Sequence, residues 1–243
     1  EFGATPVVTA STVTGQHIFY NNSFFDFDSD PTTTPFGSGD PAANANDDHA
    51  IATDKTALLP GGTGAFVNYT SYSNGINGIM VDIADLAGTP TEADFEFHIG
   101  NDDDTANWSL SPAPTSVTVR AGDGGDGSDR VTVIWPDGEI RNTWLQVTVK
   151  ATAATGLEVD HVFYYGNAVG ETGDAPEANA FVNAIDRTRM LNNSKTFLSR
   201  ATVENLHDTN RDSLVNAVDR TVALNNSTTF VTDLNRFTVP DTV

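Results

Sequence analysis

NTWLQVTVK (residues 142–150) is the stretch that decides the fold. Its side chains alternate. Leu145, Val147 and Val149 share one face with Thr143, while Trp144, Gln146, Thr148 and Lys150 share the other. A period of two marks a strand, because successive Cβ atoms point to opposite sides of the pleat. One apolar and one polar face predicts an antiparallel sheet that is covered on one side and wet on the other. Segments of the same kind, bounded by Gly, Pro, Asn and Asp, recur on both sides of it, at 16–20, 64–69, 77–83, 94–99, 115–120, 130–135 and 161–165. Apart from a turn at 82–87, no helical stripe interrupts them before residue 166. The expected fold of residues 16–166 is therefore mainly β, a jelly-roll-like antiparallel β-sandwich.

Composition narrows the function. The 243 residues include no Cys, which excludes disulfides, thiolate metal sites and cysteine nucleophiles. With 33 acidic and 12 basic side chains the formal charge is −21. Nucleic acid and anionic membranes need clustered Lys and Arg, so neither is expected as a partner. No run of about 18 apolar residues is present, so no membrane-spanning helix is expected. Little Lys, no Cys and abundant Asp, Asn, Thr and Gly point to an exported protein, extracellular or at the cell surface. There, divalent cations screen and bridge carboxylates.

Charge and periodicity both change near GNAVGETG (166–173). Residues 1–166 carry 23 acidic and 5 basic side chains, whereas residues 167–243 carry 10 and 7. The second segment contains a repeat: FVNAIDRTRMLNNSKTFL (181–198) aligns with LVNAVDRTVALNNSTTFV (214–231) at an offset of 33 residues. Two copies of one loop–helix unit are expected, packed about a pseudo-twofold axis, each helix stopping at an Asn-Asn pair.

The loop before the second helix, DTNRDSLVNAVD (208–219), has the spacing of a twelve-residue calcium loop. Asp208 stands at position 1, Asn210 at 3, Asp212 at 5, the Leu214 carbonyl at 7, Asn216 at 9 and Asp219 at 12. Ser213 occupies position 6, where Gly is usual, so a left-handed turn there costs about 1 kcal/mol. Position 12 is Asp rather than the longer Glu. The competing reading is an Asx-rich turn that caps a helix. In the first copy, counting back from Asp186 gives Asn183, Phe181 (carbonyl), Asn179 and Glu177. Position 1 then falls on Ala175, which has no donor, unless the loop has one extra residue and Asp174 takes the role.

Paired loop–helix units of the form Asp-x-Asn-x-Asp-x-x-Val-Asn-x-x-Asp, without an entering helix, resemble a dockerin module over about residues 172–235. The resemblance implies a small α-helical, duplicated calcium-binding domain, placed here at 167–243. Dockerins of cellulosomes meet cohesin through loop positions 10 and 11. Here these are Ala184-Ile185 and Ala217-Val218, apolar rather than the Ser-Thr of the best-known class, so cohesin is not carried over as a partner. Such tails, preceded by a segment like HVFYYGNAVGETGD (161–174), also resemble those ending large exported proteins of planctomycete-type bacteria.

No catalytic constellation emerges. The five His are scattered, without HExxH or GxSxG patterns, and His98 and His161 fall inside strands as structural residues. Three acidic turns, 26–30, 101–104 and 122–129, have donors at near-alternate positions but complete no recognised loop. Trp108 and Trp144, with Trp135, are candidates for a sugar-stacking platform or for cover by a partner subunit. Residues 1–15 form an N-terminal β arm around the uncharged PVVTASTVTG (6–15). It is either an edge strand of its own sheet or a strand donated to the next copy, which builds a homopolymer. The sequence thus supports a non-catalytic structural protein assembling into a fibre or array. The alternative is a module that binds polysaccharide through the β domain and anchors through its tail.

Overall fold

In the computed structural model, which describes residues 10–26, 39–173 and 179–241, strands dominate and fall into two sheets. The strands are β1 (Thr12–Ile18), β2 (Tyr69–Thr70), β3 (Gly78–Ala84), β4 (Phe95–Gly100), β5 (Ser109–Leu110), β6 (Ser116–Arg120), β7 (Asp129–Ile134), β8 (Trp144–Val149) and β9 (His161–Asn167). One sheet has the order β1-β3-β7-β6 and is antiparallel throughout. The other has the order β2-β9-β8-β4-β5, antiparallel except for the β2–β9 pair.

The alternation in β8 sets the register. Phe97 lies opposite Val147, and Val147 opposite Phe163, so one face of the five-stranded sheet carries an unbroken apolar row. These residues join Ile79, Val81, Ile83, Val131 and Val133 of the other sheet in one buried cluster. Fully burying each such side chain contributes about 1.5–3 kcal/mol.

The opposite face of β8 corrects the expectation of a wet side. Trp144 is 1 % exposed and Trp108 7 % exposed, and both pack with Tyr164 beneath Leu234, Phe237 and Val239. The Phe237 ring stands 5.0 Å from that of Trp144 and 5.3 Å from that of Trp108. The Trp144 indole N–H donates to the Asn235 carbonyl at 2.8 Å. Residues after α2 therefore return across this sheet as a further layer. Trp135 is also buried, under the apolar row beside Phe97. The stacking platform expected at Trp108 and Trp144 is not formed, because the protein's own C-terminal segment occupies their faces.

Two local expectations change as well. The segment 64–69 is mostly a 3₁₀ turn, Phe66–Asn68, with only Tyr69–Thr70 in a strand. The Asn68 side chain accepts from the Ala65 N–H and donates to the Thr56 carbonyl, giving the backbone a local alternative to the ladder. In the expected N-terminal arm, Thr12, Val13 and Gly15 pair with Ala84, Ile83 and Asp82 of the same chain. Residues 12–15 thus belong to an edge strand of their own sheet, and residues 1–9 lie outside the described residues.

On the outer face of the four-stranded sheet, Asp82 receives two hydrogen bonds of 2.7 Å from the Arg130 guanidinium, one from the Gly125 N–H and one from His17. Burial opposes its ionisation, but these donors prevail and hold its carboxyl below the usual carboxylate range. The turns 101–104 and 122–129 are likewise tied to nearby groups. Asp102 accepts from the Trp108 indole, Asp104 from Asn107 and Asp129 from the Gly122 N–H.

Truncating the return layer tests its weight. Phe237→Ala is expected to cost about 3–5 kcal/mol, measured from the denaturant midpoint, with a red shift of tryptophan emission as Trp144 and Trp108 become wet.

Candidate metal centre

Helices α1 (Ala184–Asn192) and α2 (Ala217–Asn225) fall within the repeat and end at Asn193 and Asn226, in agreement with the sequence. Their starts are built alike. Asn183 and Asn216 are N-caps, each accepting from the N–H two residues on, while Asp186 and Asp219 reach back to the cap N–H at 2.7 and 2.8 Å. The copies also exchange backbone bonds symmetrically. Val215 pairs with Lys195 after α1, and Thr228 after α2 donates to the Val182 carbonyl. Val182, Met190, Ala201, Val215 and Ala223 make the small core between them.

Each helix-start carboxylate has a second duty. Asp219 Oδ1 accepts from the N–H and hydroxyl of Thr209 at 2.8 and 3.3 Å, and Asp186 Oδ1 accepts from the N–H and hydroxyl of Thr172 at 2.9 and 2.8 Å. Thr172 is therefore the counterpart of Thr209, and Glu171 that of Asp208. The first loop runs from Glu171 to Asp186, four residues longer than the second. This corrects the register read from the sequence, which placed position 1 at Ala175 or Asp174. Asp174 and Glu177 lie outside the described residues. Asn179 is bound elsewhere, its amide linking to Asn235 and to the Arg236 N–H. The Phe181 carbonyl accepts from the Asn183 side chain.

The second loop is closed by its own side chains. Asp208 is fully buried, and its two oxygens accept from the N–H groups of Asp212 and Ser213 at 3.1 and 2.9 Å. Asp212 accepts from the Leu214 N–H and from the Asn210 amide. Ser213 has φ +68°, the left-handed turn that position 6 requires, and Arg211 has φ +53°. The Ser213 hydroxyl, absent from the usual Gly, accepts from Arg200 at 2.5 Å.

Two features of this loop bear on whether it could hold a cation. Asn210 Oδ1, at position 3, is buried without a hydrogen-bond partner. The Asp208 carboxyl is pushed up to about 7, first by burial and then by the like charges of Asp219 and Asp212, with Arg211 opposing. The other donors stand at a distance: among the described residues, no three His, Asp or Glu side chains converge on a metal-sized point. Backbone N–H groups hold the loop oxygens, and a carboxylate has lone pairs to accept these and bind a metal too. Asn216, committed to its cap, suits position 9, which often binds through water.

The loop also grips the β domain. The Ser73 N–H donates to the Thr209 carbonyl at 2.8 Å and the Phe24 N–H to the Arg211 carbonyl at 2.9 Å. The Arg211 guanidinium, buried, lies over the Tyr20 ring at 4.1 Å and donates to its hydroxyl. Gly170, with φ +89°, lets α2 approach: a Cβ there would stand 2.8 Å from the Ala223 Cα. Comparisons of the chain with protein-family models, with curated proteins and with solved structures found no match in any of the three.

Asp208 makes stability depend on pH in a defined direction. Its folded value lies above the ordinary 3.8, so the folded chain holds a proton that the unfolded chain releases. In chelator, this contribution is full below about pH 4 and is lost as pH rises through about 7. Melting temperature is expected to fall across that window. Asp208→Asn removes its share of the slope, and saturating calcium flattens it.

Proposed function

We propose that the chain is an exported, non-catalytic structural protein. Its two sheets form a β-sandwich, and calcium in the Asp208–Asp219 loop clamps a dockerin-like helical unit against it. The observation that carries this reading is the position of the loop. The backbone carbonyls between its candidate ligands are bonded to Ser73 and Phe24 of the β domain, so fixing the loop fixes the joint. A bound divalent cation neutralises the buried carboxylates of Asp208 and Asp219 and converts their repulsion into cohesion. The reading places calcium on Asp208, Asn210, Asp212, the Leu214 carbonyl and Asp219, with Asn216 acting through water.

Assembly follows from the edge position of β1. On its outer side the Gln16 and Ile18 carbonyls already accept from the Tyr165 hydroxyl and the Ala52 N–H, and in this proposal residues 1–9 of a neighbouring copy pair along the rest of that edge. Repeated head to tail, such pairing gives a fibre rather than a closed ring. The polysaccharide-binding alternative has lost its carrier, since Trp108 and Trp144 are covered.

Two measurements test the proposal. Asp208→Ala with Asp219→Ala is expected to abolish the calcium-dependent rise in melting temperature; a wild-type chain indifferent to calcium and chelator overturns the clamp. Deleting residues 1–9, which leaves β1 whole, is expected to remove high-molecular-weight species in electron micrographs and sedimentation without changing the melting temperature. Identical monomeric profiles for both chains overturn the fibre.

A further inference from the structure

The turn that supplies Phe24 to the calcium loop carries a second set of buried oxygens, unrelated to the repeat. Asp26 and Asp47 are both fully buried. Asp26 Oδ2 accepts from the Asn22 N–H at 2.7 Å, and Asp47 Oδ2 accepts from the Asn44 N–H at 3.0 Å. The other oxygen of each carboxyl, Oδ1, is buried with no hydrogen-bond partner. Each carboxyl acts on the other's ionisation, so the two are neighbours. Asn21, 1 % exposed, sits in the same turn. Its Nδ2 faces the Pro41 carbonyl at 3.5 Å, and its Oδ1 is a third buried oxygen without a partner. The Asp40 N–H donates to the Asp26 carbonyl at 3.0 Å, so segments 21–26 and 40–47 are stitched together around these atoms.

Buried acceptors without donors are rare in native proteins and call for an explanation. The charged groups acting on the pair are Asp40, Asp48 and Arg120, and Arg120 is engaged by Asp48 and Asp123. A shared proton satisfies one contact between the carboxyls but leaves Asn21 Oδ1 still without a partner. A cation held between the two carboxyls offsets both charges, and Asn21, in the same turn as Asp26, has a buried oxygen free to join it. A donor set of carboxylate and amide oxygens, with no nitrogen or sulfur, selects a hard ion of calcium type. We propose that Asp26, Asp47 and Asn21 bind a calcium ion between segments 21–26 and 40–47, at a site separate from the Asp208–Asp219 loop.

Calcium content after equilibrium dialysis of the full chain against calcium chloride tests this. Asp26→Asn with Asp47→Asn is expected to bind one equivalent fewer than wild type and to keep the thermal response that belongs to the loop. Asp208→Asn loses a different equivalent, so failure of either site is seen independently. An unchanged calcium content in the Asp26/Asp47 variant, with higher stability from relieved repulsion, overturns the proposal in favour of a shared proton. Wild-type crystals soaked in terbium chloride give a reading that does not depend on the variant folding: an anomalous peak between Asp26 and Asp47 supports the site, and its absence there overturns it.

Discussion

The aromatic outer face of the five-stranded sheet is the constraint on which the rest of the structure depends. Trp144, Tyr164, Trp108 and Tyr69 present too much apolar surface to face water, and residues 234–239 must come back to cover them. That return fixes the topology beyond β9. The two helices lie in the chain between β9 and the covering segment, so both ends of their unit are fastened to one sheet. The helical unit is thereby built into the β domain and does not hang from a linker, and its second loop rests against Tyr20, Phe24 and Ser73.

Much of this was legible in the sequence, for definable reasons. Strand periodicity located β3, β4, β6, β7, β8 and β9 within a few residues, since alternation reports burial on a pleated sheet directly. The repeat located both helices and their stops because caps and Asn pairs act locally. The second face of β8 was not legible. A strand with a Trp, a Gln and a Thr on one side looks wet, and only a segment distant in the chain decides otherwise. The two-residue strands β2 and β5 are too short to show a period.

The first loop was misread for an instructive reason. A repeat with a constant offset of 33 residues hides an insertion, and the counterpart of Asp208-Thr209 is Glu171-Thr172, 37 positions away. The acid–Thr pair was the available signal, and the hydrogen bonds to Asp186 and Asp219 give it meaning. The clasp between a loop threonine and a helix-start carboxylate is common to both copies. The run of oxygen donors at twelve-residue spacing is intact in the second alone. What the duplication preserved is the closure of the loop onto its helix. Asp26 falls in the acidic turn 26–30 that the sequence singles out, but its pairing with Asp47 was beyond reach, because 21 positions separate two carboxylates that no local pattern joins.

The returning layer also sets an order on biosynthesis. Phe237 follows Trp144 by 93 positions. A ribosome adding ~5–20 residues per second leaves the aromatic face open for on the order of seconds after β8 has been made. During that interval the nascent chain has most of its strands but no lid for them. It is at its stickiest then. Cover for this face waits on residues 234–239, so the distance in sequence between the sheet and its lid acts as a timer on closure.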